Sequence, residues 1–143
     1  MEVTNKNKIE KSHKGKKEKL KILVVEDDKS IIRKIYKVLK DKFNIDFVID
    51  GESAIEKARS NKYCMILMDL HLDKGISGLQ TTKLIKNMSA YQNIPVIAMT
   101  EEEREYFKEA SDTKLFDGLL YKPFELAFLI ALVQNILMSI DIF

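Results

Sequence analysis

Ile22-Leu23-Val24-Val25-Glu26-Asp27-Asp28 is the stretch whose reading decides the fold. Four apolar residues in a row, with no polar interruption, read as a strand buried on both faces; a strand with one wet face would alternate. Three acids then stop it. Ser30 to Lys42 follows, placing Ile31, Ile32, Ile35, Val38 and Leu39 at helical spacing with lysines opposite. A doubly buried strand running into an amphipathic helix is the first half of a strand–helix–strand unit.

The alternation continues along the chain. Ile45 to Ile49 reads as a second strand, and Ser53 to Ser60, after Gly51, as a short helix with Ala54, Ile55 and Ala58 inward. Cys64 to Met68 is a third buried run ending at Asp69. A loop carrying Gly75 and Gly78 leads to a helix from Leu79 to about Ser89. Pro95 opens a fourth strand, Val96 to Met99, which ends at Thr100. A charged helix from about Glu102 to Ala110 precedes a fifth strand, Gly118 to Tyr121. Lys122-Pro123-Phe124 then leads to a last helix from about Glu125 to Ile140. Five strands alternating with five helices predict an α/β fold: a five-stranded parallel sheet with helices on both faces, a three-layer sandwich.

Composition supports one ordinary domain. Of 143 residues, 45% are apolar and 32% charged, which supplies both a core and a coat and excludes a fibrous or wholly disordered chain. Cys64 is a lone cysteine and cannot form an internal disulfide. With only His13 and His71 beside it, a structural zinc site of about four ligands is excluded. The cysteine use fits a reducing compartment. The N-terminus is lysine-rich, with no apolar run of the kind a secretory signal needs. Leu126 to Ile140 is 15 residues long and broken by Gln134, Asn135 and Ser139. A membrane-spanning helix needs about 20. A cytoplasmic protein is expected.

The charge is uneven. Met1 to Lys21 holds eight lysines against three glutamates, while the remainder carries 16 basic and 19 acidic residues. Residues 1–19 are expected to be a basic, disordered tail or linker, with the folded domain spanning 20–143. With no interleaved aromatics to stack on bases and no arginine before Arg33, no nucleic-acid role is expected of the tail.

In parallel sheets of this kind, ligands bind beyond the carboxyl ends of the strands, at a topological switch point. Glu26-Asp27-Asp28, Asp69, Thr100 and Lys122 stand at those ends. Each has a bland explanation alone; Asp28, for instance, reads as a cap on the first helix. Together they are harder to dismiss. Carboxylates about 4 Å apart repel by about 4 kcal/mol at an effective dielectric of 20, so a cation or proton must intervene. All-oxygen ligation by few protein groups suits Mg²⁺. Adding a lysine and a hydroxyl makes a place where a phosphoryl group is neutralised from several sides.

These residues resemble the landmark motifs of the receiver domain of two-component response regulators. The resemblance covers about Leu20 to Ile140 and rests on four stretches, in order, each at the end of its own strand. They are Ile22 to Asp28, Met65 to Asp69, Ile97 to Thr100, and Tyr121 to Phe124. The resemblance implies a flavodoxin-like (βα)₅ fold and transfer of phosphoryl from a histidine kinase or histidine phosphotransfer protein. It implies Asp69 as phosphoacceptor and Mg²⁺ held by Glu26, Asp27 and Asp69, with the backbone carbonyl of His71 as a further ligand. Thr100 and Lys122 match the hydroxyl and ammonium that meet the phosphoryl oxygens, and Pro123 a proline that follows a cis peptide bond. Weak autophosphatase activity would be a side property, so the chain is not expected to be an enzyme.

The sequence departs from the family pattern in several places. The loop from Leu70 to Gly78 is one residue longer than usual and lacks the usual proline; the metal site is expected to survive and the far side of the loop to be displaced. Asp73 does not make a haloacid-dehalogenase site, which needs an aspartate where this chain has His71. Glu101 stands where receivers have a small residue. The family tunes phosphoryl lifetime at the positions of His71 and Glu102, and His71 is expected to be an exposed loop residue. At the position of the family's switch aromatic this chain has Leu119. The last helix, apolar from Leu126 to Val133, is wider in its apolar face than core contact requires. A homodimer through the fourth helix, fifth strand and last helix is therefore expected. Output is expected through protein–protein contact, or through a larger protein of which this is the receiver. The rival readings are a phosphorylation-independent interaction module with the same fold, and a nucleic-acid binder working through the lysine tail.

Overall fold

The computed structural model describes residues 19–101 and 114–139. Five strands form one parallel sheet: β1 (Leu20–Val25), β2 (Phe43–Val48), β3 (Met65–Asp69), β4 (Val96–Thr100) and β5 (Gly118–Tyr121). Their spatial order is β2-β1-β3-β4-β5. The described helices are α1 (Lys29–Leu39), α2 (Gly51–Ser60), α3 (Gly78–Lys86) and α4 (Leu126–Ser139). The predicted α/β, flavodoxin-like sandwich is the observed one. The predicted helix at Glu102 to Ala110 and the lysine-rich tail lie outside the described residues.

Alternation along the strands builds two cores. Ile22 and Val24 of β1, Met65 and Leu67 of β3, and Ile97 and Met99 of β4 face one way, toward Ile35 and Leu39 of α1 and Leu129, Val133 and Leu137 of α4. Leu23 and Val25, Ile66 and Met68, and Ala98 face the other way, toward Ala54 and Ala58 of α2 and Ile85 of α3. Ile22 to Val25 are wholly buried, as an uninterrupted apolar run requires. Each such side chain contributes about 1.5–3 kcal/mol by leaving water, so the central strands dominate the sheet's stability. Among the described residues no helix is long and apolar enough to cross a membrane.

Element ends differ from the sequence expectation where caps and pairing decide them. β2 starts at Phe43 rather than Ile45, because Phe43 pairs with Leu20, and Ile49 lies beyond it, largely exposed. α1 stops at Leu39, short of Lys42, and α3 at Lys86, short of Ser89, after which Ser89–Tyr91 form a single 3₁₀ turn. α2 begins at Gly51, two residues early, because the Asp50 carboxylate accepts the Ser53 amide at 2.7 Å. α1 is capped by Asp28, as expected, through the amides of Ser30 (2.8 Å) and Ile31 (3.4 Å). α3 carries a reciprocal box between Ser77 and Gln80.

The chain leaves β1 toward β2 on one side and leaves β3 toward β4 on the other. The crossovers therefore splay apart above the adjoining carboxyl ends of β1 and β3, and a cleft opens there. Gly78 closes one wall. A Cβ at Gly78 would stand 2.0 Å from the Asp69 carbonyl oxygen and 2.8 Å from Leu70 Cα, so α3 seats directly on the backbone of β3.

Two predictions follow from these contacts. Gly78→Ala forces backbone atoms apart and is expected to cost about 1–3 kcal/mol in urea unfolding; an unchanged midpoint would refute that seating of α3. Hydrogen bonds from Ser53 hold the Asp50 carboxyl below its ordinary 3.8. Its contribution is thus complete above 3.8 and lost as pH falls through the lower folded-state value. Asp50→Ala should cost about 1 kcal/mol at pH 7, the gap to wild type closing as unfolding is repeated at falling pH below 4. A gap independent of pH would show that the carboxylate is not the cap.

Candidate functional site

The cleft is built from strand ends. The Glu26 amide donates to the Val48 carbonyl at 3.0 Å, which extends the β1–β2 pairing and turns the Glu26 side chain inward, where it is wholly buried. Glu26 Oε2 accepts the amides of Asp27 (3.0 Å) and Asp28 (3.1 Å). Asp69 ends β3, is 2% exposed, and accepts the His71 amide on Oδ1 at 2.9 Å. Asp27, half-buried, accepts the Asp73 amide on Oδ2 at 3.0 Å. Each acid thus holds a backbone N–H, a donor whose charge no pH change removes.

Lys122 supplies the cation. Its amide donates to the Thr100 carbonyl at 2.8 Å beyond the end of β5, and the Lys122–Pro123 peptide is cis. Its ammonium lies 2.7 Å from Glu26 Oε1 and 3.4 Å from Asp69 Oδ2. Burial works against that charge, but Glu26 and Asp69 outweigh it and hold the Lys122 ammonium above its ordinary range. Burial pushes the Glu26 carboxyl up to about 7; Lys122 pulls it down and Asp69 adds to the rise. Two carboxylates therefore share one ammonium, with the Asp27 carboxylate beside them, and the repulsion of the three is only partly answered.

The donor set fits a hard divalent cation. Oxygens of Glu26, Asp27 and Asp69 all lie within 4.8 Å of one another. Apart from its ion pair with Lys122, the buried Glu26 Oε1 makes no hydrogen bond among the described residues. All-oxygen ligands at an open cleft are what Mg²⁺ takes, in preference to the nitrogen and sulfur donors of zinc.

Every side chain singled out at the strand ends stands in or beside this cleft; Asp28, which caps α1, lines its outer part. Thr100 is wholly buried at the end of β4. His71 is exposed, as expected of a loop residue, yet its ring is not idle: Nε2 lies 3.2 Å from Thr100 Oγ1. Sequence reasoning missed that contact, and it missed two anchors of the long loop. One is the Asp73 amide on Asp27; the other is Glu52 Oε1, which accepts the Ile76 amide at 3.1 Å beside Gly75, whose φ is +76°. The extra loop residue was the available signal. Glu101 lines the outer cleft, a space of about 550 Å³, with Lys34, Phe124 and the start of α1. Leu119 is half-buried opposite Ala98.

Comparison with known proteins agrees with this geometry. The response regulator receiver domain matches residues 22–134. Response regulator ArlR of Staphylococcus saprophyticus is 35% identical over 118 residues, covering 82% of this chain and 52% of that protein. The chain thus spans about half the length of the curated relatives it matches. A two-component response regulator from Clostridium difficile superposes with a TM-score of 0.76 at 32% identity, over 86% of this chain and 99% of that one. The receiver domain of sensor histidine kinase PA1611 from Pseudomonas aeruginosa, with magnesium coordinated in its active site cleft, superposes with a TM-score of 0.70 at 27% identity, over 82% and 96%. The chain belongs to the response regulator receiver domain family.

Proposed function

We propose that Asp69 accepts a phosphoryl group from a phosphohistidine of a histidine kinase or histidine phosphotransfer protein, and that the acyl phosphate switches partner binding. The observation that carries this reading is the placement of the buried Asp69 carboxylate. It stands beside Lys122 and within 4.8 Å of the oxygens of Glu26 and Asp27. An oxygen of Asp69 attacks phosphorus, the new O–P bond forms, and the P–N bond breaks with its electron pair returning to the donor imidazole. Glu26, Asp27, Asp69 and the carbonyl of His71 would hold Mg²⁺, which when bound supplies charge neutralisation to the transferring phosphoryl group. Lys122 neutralises a further phosphoryl oxygen, and the Thr100 hydroxyl donates to another. Protein dipoles and charges fixed before reaction need no reorganisation as charge develops.

The chain is a phosphoacceptor with at most a slow hydrolytic side reaction, and it works in the cytoplasm. Burial pushes the lone Cys64 thiol up to about 11, which keeps it unreactive in that setting. Its output is protein contact. α4 is apolar without a break from Leu126 to Val133 but wholly buries only the stripe Leu129, Val133 and Leu137, leaving Phe128 56% and Met138 66% exposed, with Tyr121 of β5 44% exposed. That supports a homodimer through this side of the molecule. The helix predicted at Glu102 to Ala110, expected in the same interface, lies outside the described residues, as does the tail to which the nucleic-acid reading belongs. A phosphorylation-independent module would have no use for an acid cluster buried against an ammonium.

Intact-protein mass after incubation with Mg²⁺ and phosphoramidate tests the assignment. One phosphoryl adduct is expected on wild type, absent without Mg²⁺ and absent in Asp69→Asn; an adduct of equal yield in the variant would refute it. Size exclusion with Mg²⁺ and beryllofluoride should shift wild type toward dimer and leave Phe128→Glu monomeric. A dimer in both would place the interface elsewhere.

A further inference from the structure

We propose that Glu52, in the first turn of α2, is a positioning residue for the metal site: it fixes the long loop after β3 and, through that loop, the Asp27 carboxylate. The second half rests on the Mg²⁺ site proposed for Glu26, Asp27 and Asp69. The loop from Leu70 to Gly78 follows Asp69 directly and is one residue longer than the receiver pattern. An added residue brings backbone freedom that folding must remove. Among the described residues, Leu72 to Ile76 make no backbone–backbone hydrogen bond. Two amides of this stretch go to carboxylates instead. The Asp73 amide donates to Asp27 Oδ2 at 3.0 Å, and the Ile76 amide to Glu52 Oε1 at 3.1 Å. Only Lys74 and Gly75 lie between the two anchors.

The fit at the Glu52 end is close. Gly75, at φ +76°, has no room for a side chain, since a Cβ there would stand 2.2 Å from Glu52 Oε2. A Cβ at Gly51 would stand 2.7 Å from Ile76 Cγ1 and 2.1 Å from Thr81 Oγ1, so the start of α2 lies directly against the loop and α3. Leu72 adds an apolar hold at the edge of the second core. Glu52 thus ties the loop to a packed helix, and the loop in turn presents its Asp73 amide to Asp27. A metal-ligating carboxylate is oriented by the hydrogen bond it accepts, and loss of such a donor costs roughly 10–100-fold in metal affinity. The bond to Asp73 leaves Asp27 Oδ1 and a second lone pair on Oδ2 for a cation. Glu52 stands one step behind that donor, so its loss should cost less. A Glu52 that merely favoured the first turn of α2 would act through its charge alone and would need no bond to Ile76.

Two variants separate these roles. Glu52→Asp keeps the charge at the start of α2 but is one methylene too short for the Ile76 amide. Glu52→Gln loses the charge and keeps an acceptor at the Oε1 position. Amide hydrogen exchange is followed by NMR without metal at Ile76, at Asp73 and at Ala54, whose amide donates to the Asp50 carbonyl and reports on α2. Mg²⁺ is then titrated on the same spectra. In Glu52→Asp, exchange should quicken about tenfold at Ile76 and about threefold at Asp73, with Ala54 within about twofold of wild type. Mg²⁺ should bind that variant about three- to tenfold more weakly. Glu52→Gln should stay within about twofold of wild type in every readout. An Asp73 amide indifferent to Glu52→Asp overturns the hold along the loop, and an unchanged Mg²⁺ affinity overturns the positioning role. A Gln variant that behaves as Asp does overturns both, since charge and not the bond would then decide. If wild type binds no Mg²⁺, the metal reading falls and takes the second half with it, while the exchange rates still decide the first.

Discussion

Three crowded carboxylates, two of them paired with one ammonium, constrain everything else in this molecule. Like charges about 4 Å apart cost about 4 kcal/mol at an effective dielectric of 20, and a whole domain is stable by only about 5–15 kcal/mol. The fold answers this repulsion in three ways. Lys122 reaches between Glu26 and Asp69, backbone amides of Asp27, Asp28, His71 and Asp73 donate to the acids, and burial pushes the Glu26 carboxyl up to about 7. What remains is negative charge in an open cleft, with oxygens of Glu26, Asp27 and Asp69 within 4.8 Å of one another, a set that a divalent cation would neutralise.

The sheet exists to hold that crowd together. Strand order β2-β1-β3-β4-β5 sets the carboxyl ends of β1 and β3 side by side, and doubly buried strands keep those ends from moving apart. α3 rests through Gly78 on the Asp69 backbone itself. The position of Asp69 is thus tied to a helix that could move only by breaking a packed contact. α4 has the opposite character. Its buried stripe of Leu129, Val133 and Leu137 anchors it, while Phe128 and Met138 on its other side stay exposed.

Much of this was legible in the residues. Unbroken apolar runs at Ile22 and Met65 read as buried strands, acids at their ends marked a candidate site, and the alternation along the chain predicted a parallel sheet with helices on both faces, while the flavodoxin-like arrangement came from the family resemblance. Helix ends were less legible, since a cap such as Asp50 competes with apolar periodicity and decides the first turn by a single hydrogen bond. The wide apolar face of α4 was read correctly, but which stripe it buries depends on the facing sheet. The His71–Thr100 contact and the Glu52 and Asp27 anchors of the loop were not legible. They join residues 24 to 46 apart, through a loop whose path no periodicity describes.

Urea unfolding of wild type and Asp69→Asn, with and without Mg²⁺, tests the electrostatic account most directly. Removing one of three repelling charges should make the variant the more stable protein without metal. A Mg²⁺ concentration about tenfold above its dissociation constant should then add about 1.4 kcal/mol to wild type alone. Wild type indifferent to Mg²⁺, or a variant that is less stable without metal and gains as much from it, would contradict the claim that these carboxylates form one unsatisfied cluster.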